Sequence, residues 1–182
     1  MVKSIFTGAL AVAALSFAAV GALNSGSDVV NAKAVAVISP TKGNSVSGVV
    51  TFTQTGGGVR VEATISGLAP NASHGFHVHQ FGDMSKDDGT AMGGHFNPKG
   101  HDHALPMTGM RHVGDMGNLD SDSTGTATYS EILTNMSVIH GDTAIIGRGV
   151  VIHAKIDDGT GATGNAGARI GYGVVGVAND SH

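Results

Sequence analysis

The run Ser45-Val-Ser-Gly-Val-Val-Thr-Phe-Thr-Gln-Thr55, the turn Gly56-Gly-Gly58 and the run Val59-Arg-Val-Glu-Ala-Thr-Ile65 read together as a β-hairpin. In the second run apolar and polar residues alternate without a break. That period of two sends Val59, Val61, Ala63 and Ile65 to one face and Arg60, Glu62 and Thr64 to the other. A helix cannot bury such a pattern. Runs of the same kind recur outward from the hairpin: Ala32–Ile38 before Ser39-Pro40, Gly75–Phe81, Asp115–Leu119, Gly125–Ile132, Thr143–His153 and Ala168–Ala178. About eight short strands with short turns predict an all-β barrel or sandwich. Gly82–Gly114 and Asp157–Gly167 carry no clear period and are rich in Gly, Asp and Asn. Structureless stretches this long inside a compact domain are usually functional.

The composition agrees. Among 182 residues there are 29 Gly and no Trp, only 13% are charged, and the formal net charge is -4. Such a chain has no basic footprint for nucleic acid. Met1-Val-Lys3, the apolar run Ile5–Val20 and the small residues Val20-Gly-Ala22 resemble a secretory signal peptide. Residues 1–22 are read as that signal, 23–31 as a flexible segment and 32–179 as the folded domain. The expected location is secreted, with no membrane contact after cleavage. There are no cysteines, so packing, backbone pairing and metal must hold the domain. Asn71-Ala-Ser73 and Asn135-Met-Ser137 match the N-glycosylation pattern.

Histidine is concentrated to a degree that needs a reason. The chain has ten, and eight of them lie from His74 to His140. His77 and His79 alternate on a strand and so present two imidazoles from one rigid face. His95, His101, His103, His112 and Asp115 follow, and His153 ends a later apolar run. Imidazole suits copper and zinc, and carboxylate adds a zinc ligand.

Four motifs in order, His74-Gly-Phe-His-Val-His79, Gly94-His-Phe-Asn-Pro98, His112-Val-Gly-Asp-Met-Gly-Asn118 and Gly164-Asn-Ala-Gly-Ala-Arg-Ile170, closely resemble the copper/zinc superoxide dismutase family. The likeness runs from about Lys33 to Ala178. It implies an eight-stranded Greek-key β-barrel or sandwich, immunoglobulin-like, with two long functional loops. By resemblance, copper is held by His77, His79, His95 and His153. Zinc is held by His95, His103, His112 and Asp115, so that His95 bridges the two ions. His101 competes with His103, whose spacing to His95 and His112 fits the family, and His101 is then read as a solvated loop residue. Asp157, with Asp158 as the alternative, matches an aspartate that links ligands of both metals. Arg169 matches the arginine that guides superoxide. The implied reaction converts two superoxide anions and two protons to dioxygen and hydrogen peroxide on copper, with His95 carrying a proton and zinc structural. A non-catalytic copper/zinc-binding barrel is the alternative. His74 reads as structural and His140 and His182 as solvated; Gly147-Arg148 is assigned no chemistry.

The family's intrasubunit disulfide is missing: Tyr172 stands in the last strand, and no cysteine lies near Thr90. The loop from Asp157 to Arg169 is short and poor in charge, and a homodimer becomes possible rather than required. Losing such a crosslink typically costs a few kcal/mol in a small secreted domain. Metal should therefore supply much of the long loop's order. We expect a protease to cut between Met84 and Arg111 much faster in the metal-free protein than in the loaded one. Equal cutting would refute that dependence.

Overall fold

The structure is a computed structural model whose described residues are Met1 and 32–179. The segments read as signal peptide and flexible leader lie outside these residues, apart from Met1.

The expected hairpin forms as β2 (Ser47–Thr55) and β3 (Gly58–Ser66), paired antiparallel from Ser47↔Ser66 to Thr55↔Gly58. In β3, Val59, Val61, Ala63 and Ile65 are buried, and Arg60, Glu62 and Thr64 are exposed. The alternation is thus a true inside–outside code. The other strands are β1 (Lys33–Pro40), β4 (Ser73–His79), β5 (Asp115–Asp120), β6 (Ala127–Leu133), β7 (Gly149–His153), β8 (Arg169–Val174) and the two-residue β9 (Gly176–Val177). Their order is β5-β4-β7-β8-β1-β2-β3-β6, with β9 added on β1. All named pairings are antiparallel. Strand β3 pairs with β6 across the intervening β4 and β5, a Greek-key crossover.

The barrel is nearly closed. A single bridge, Ser121↔Ala127, joins β5 to β6 at their turn. Beyond it, Tyr129 fills the gap: its hydroxyl donates to the Met116 carbonyl at 2.8 Å, and its ring meets Phe76 edge-on at 5.3 Å. The core inside includes Ile38, Val50, Phe52, Val61, Ile65, Phe76, Val78, Leu119, Val150 and Ile152.

Two strand expectations need correction. Thr143–Arg148 is not strand. Ile145 and Ile146 are buried or half-buried, but they bond to Ser137 and Val138 in a loop. The chain then turns through Gly147 at φ 76° before β7 begins at Gly149. Ala168–Ala178 is not one strand either. Val175 bonds to Gly147 and Arg148, splitting it into β8, on β7 and β1, and β9, on β1 alone.

What positions the site is β4. All of its residues from His74 to His79 are buried. Phe76 and Val78 face the barrel core, and His77 and His79 face the opposite side, under the two long loops. The loop 80–114 threads back along β4: Gln80 N–H donates to Gly94 O, Phe96 N–H to Val78 O and Val78 N–H to Gly114 O, each at 2.9 Å. Gly114 must be glycine, because a Cβ there would sit 2.1 Å from Val78 O.

Candidate metal centre

Two groups of donor atoms emerge from this threading. His77, His79, His95 and His153 form one, and His95, His103, His112 and Asp115 the other; within each group the ligand atoms lie within 4.8 Å of one another. These include every ligand position carried over from the family, and His95 belongs to both. His77 and His79 come from β4, and His153 from the end of β7. Asp115 opens β5, opposite His77 in register. His95 reaches the site because residue 95 forms a β-bridge with His79.

The hydrogen bonds decide which nitrogens are available. A carbonyl or carboxylate oxygen only accepts, so the ring nitrogen facing it carries the proton and the other keeps its lone pair. His77 Nε2 donates to Asp157 Oδ2 at 2.8 Å, leaving Nδ1 bare. His79 Nδ1 donates to Gly93 O at 3.0 Å and His153 Nδ1 to Gly167 O at 3.1 Å, leaving both Nε2 atoms bare. Those two bare nitrogens are 3.4 Å apart. His77 Nδ1 and His95 Nε2 are buried without any hydrogen-bond partner among the described residues. Four inward lone pairs, with no donor among them, fit a cation.

The second group is tighter. Asp115 Oδ1 lies 2.9 Å from His95 Nδ1, 3.0 Å from His103 Nδ1 and 3.2 Å from His112 Nδ1; a cation among these atoms would displace the protons that the rings otherwise share with the carboxylate. His112 Nδ1 is 3.4 Å from His95 Nδ1. An ion held tetrahedrally at about 2.0–2.1 Å spaces its ligand atoms by roughly 3.3 Å, so this is the size of cage that zinc requires. His103 Nδ1 is close to Asp115 but is not aligned for a hydrogen bond.

Asp157 stands between the groups. Its Oδ1 takes a bond from His103 Nε2 at 2.9 Å while Oδ2 takes the one from His77. Asp158 is exposed and turned to Thr160 and Asn165 instead. The sequence missed what holds Asp157. Asn118 donates to its carbonyl at 2.9 Å and accepts from its N–H at 2.7 Å. Gly164 leaves room for its carboxylate, since a Cβ there would lie 1.9 Å from Oδ1. Both lie in the quoted motifs, but only the folded loop gives them these roles.

Arg169 opens β8 beside His153 in register. Its guanidinium is half-buried and donates through Nη1 to Gly89 O and through Nη2 to Gly93 O. Burial lowers its pKa somewhat, but guanidinium stays cationic regardless. Its charge helps keep His79 and His153 neutral.

The remaining histidines do not join. His101 is half-buried, not simply solvated, and its Nδ1 pairs with Arg111 O at 3.2 Å. His140 is exposed, and His182 lies outside the described residues. His74 is structural: its Nδ1 donates to His153 O at 2.8 Å. Arg148 stacks 4.0 Å over the Phe96 ring and donates to Gln80 O. Asn71 is exposed, whereas Asn135 Nδ2 already donates to His112 O, a bond that a glycan there would break.

Burial holds His77, His79 and His153 neutral. It lowers His77 to about 4, His153 to about 3 and His79 well below its usual value. His103 goes the other way: burial opposes its charge, but Asp157 and Asp115 outweigh burial and raise it. Burial alone would raise Asp157 and Asp115, yet their histidine partners hold both below the usual carboxylate range. With His77, His79 and His153 depressed, these sites in the metal-free fold take up fewer protons below pH 6.5 than they do in the unfolded chain. Their contribution is complete above that pH and is lost as pH falls toward 4. We expect metal-free protein to lose ~3 kcal/mol between pH 7 and pH 5, read as a falling unfolding midpoint in urea; a flat midpoint over that range would contradict it.

Known proteins resemble this chain in sequence and in fold. The family model for copper/zinc superoxide dismutase (SODC) matches residues 46–175. The chain is 44% identical over 156 residues to the Cu-Zn superoxide dismutase of Paramecium bursaria Chlorella virus 1, covering 82% of each chain. It is 45% identical over 158 residues to that of Schizosaccharomyces pombe, covering 80% of this chain and 98% of the relative. Among solved structures, the crystal structure of the clock protein EA4 superposes with a TM-score of 0.74 at 39% identity, covering 82% of this chain and 96% of that one. With a family match across most of the barrel and two such relatives, the chain belongs to the copper/zinc superoxide dismutase family.

Proposed function

We propose that this protein is a superoxide dismutase, forming dioxygen and hydrogen peroxide from two superoxide anions and two protons. Copper would be held by His77 Nδ1 and by the Nε2 atoms of His79, His95 and His153. Zinc would be held by the Nδ1 atoms of His95, His103 and His112 and by Asp115 Oδ1. When bound, copper supplies a one-electron couple and zinc a fixed positive charge. The observation that carries this reading is the His95 ring, whose two nitrogens point into two separate donor sets.

The chain's own residues do the rest. Asp157 fixes the tautomers of His77 and His103 together, so the two cages are set by one carboxylate. Orienting partners of this kind typically matter 10–100-fold in metal affinity or activity. His95 Nε2 is the proton-carrying atom: Nδ1 is held beside Asp115, leaving Nε2 free to exchange a proton. Arg169 attracts the anion. The protein is acidic overall, and the 157–169 loop offers no other cation, so Arg169 carries the local steering. The leader-like run at 5–20 supports secretion of the 32–179 domain. A homodimer is part of this reading.

The binding-only alternative needs no arginine at the mouth of the site, yet Arg169 is pinned there by two carbonyls. The test is metal analysis beside a superoxide assay. We expect protein loaded with one copper and one zinc to dismutate far faster than buffer. Arg169→Ala should slow it by about 10-fold or more with metal content unchanged, the scale expected for lost steering. A loaded protein no faster than buffer would favour the metal-binding barrel.

A further inference from the structure

A second apolar cluster lies outside the barrel, on the outer face of β7 and β8. Met92, Val151 and Tyr172 are buried there, with Val174 packed against them. Val151 and Tyr172 are cross-strand neighbours. Met92 comes from the long loop, in a short 3-10 turn, Thr90–Met92. It seats over Gly149, where a Cβ would lie 2.5 Å from its Sδ. Tyr172 lies beneath Gly89, where a Cβ would meet its ring at 3.6 Å. From 81 to 94, Gly89 and Met92 are the buried residues, so Met92 is the one buried side chain of that arm.

The carbonyls flanking this plug orient the site. Gly93 O, next to Met92, accepts from both His79 Nδ1 and Arg169 Nη2. Gly89 O accepts from Arg169 Nη1 and from Met92 N–H. Met92 O accepts from Phe81 N–H at 3.0 Å, closing the arm on β4. One buried thioether therefore fixes the peptide that aims a ligand ring and the anion-binding cation together.

We infer that Met92, seated between Gly149 and Tyr172, is a positioning residue for the reaction. It acts through Gly93 O on His79 and Arg169, and gives this cysteine-free chain a non-covalent tether for the loop. The inference rests on the dismutase reading for its rate, but its geometric part is read separately. In copper/zinc-loaded protein, Met92→Ala should lower the dismutation rate by about 10-fold, weaken azide binding by a similar factor and change the copper EPR spectrum, with both metals retained. Met92→Leu should restore all three. Ile65→Ala, a truncation in the barrel core on β3, should lower thermal stability comparably and leave them unmoved. Met92→Val replaces the alanine variant if that does not fold. Unchanged azide affinity and EPR in the truncated variant would overturn the inference, as would loss of metal or equal effects from Ile65→Ala. Were the parent protein inactive, the dismutase reading would fall, while the azide and EPR shifts would still decide the role of Met92.

Discussion

A neutral imidazole has one lone pair to give and one N–H to place. Every other constraint at this site follows from that. His77, His79, His103 and His153 each spend the N–H on a fixed oxygen: the Asp157 carboxylate or a glycine carbonyl. Their remaining nitrogens are thereby aimed. His95 is different, because both its nitrogens face donor atoms. It can serve both sides only by losing its proton, and a divalent ion at Nδ1 makes that loss feasible. The two donor sets are therefore one electrostatic unit.

The barrel supplies the rigidity. Side-chain alternation on β4 puts two imidazoles on one face while Phe76 and Val78 hold the strand to the core. The remaining donors come from loops, which are precise only because they are pinned. Backbone bonds run the 94–96 and 114 segments along β4, and Asn118 locks the backbone of Asp157. In this cysteine-free chain the Met92–Tyr172 cluster and the Arg169 fork fasten the 81–94 arm to the barrel. Hydrophobic burial and two carbonyl bonds do so without a covalent link.

Much of this was legible in the primary structure. The alternation in β3 needed no structure to read, and the spacing of His77 and His79 sufficed to place two rings on one face. The resemblance supplied the pairing of distant ligands such as His95 with His153, which no periodicity could. What could not be read has physical reasons. Ile145-Ile146 looked like strand because burial in a loop and burial in a sheet give the same apolar run. The break at Val175 follows from bonds to Gly147 and Arg148 that only the folded chain forms. Met92 and Asn118 act through backbone groups of other segments, and a side chain's identity does not announce such a role. Gly164 is needed for the space it leaves beside Asp157, which is visible only once both loops are in place.

The claim beneath all of this is that one ring belongs to two cages. Anomalous diffraction at the copper and zinc edges, from crystals of the doubly loaded protein, tests it most directly. The account predicts two peaks on opposite sides of the His95 ring, copper at Nε2 and zinc at Nδ1. A single peak, or two ions with no ring in common, would contradict it.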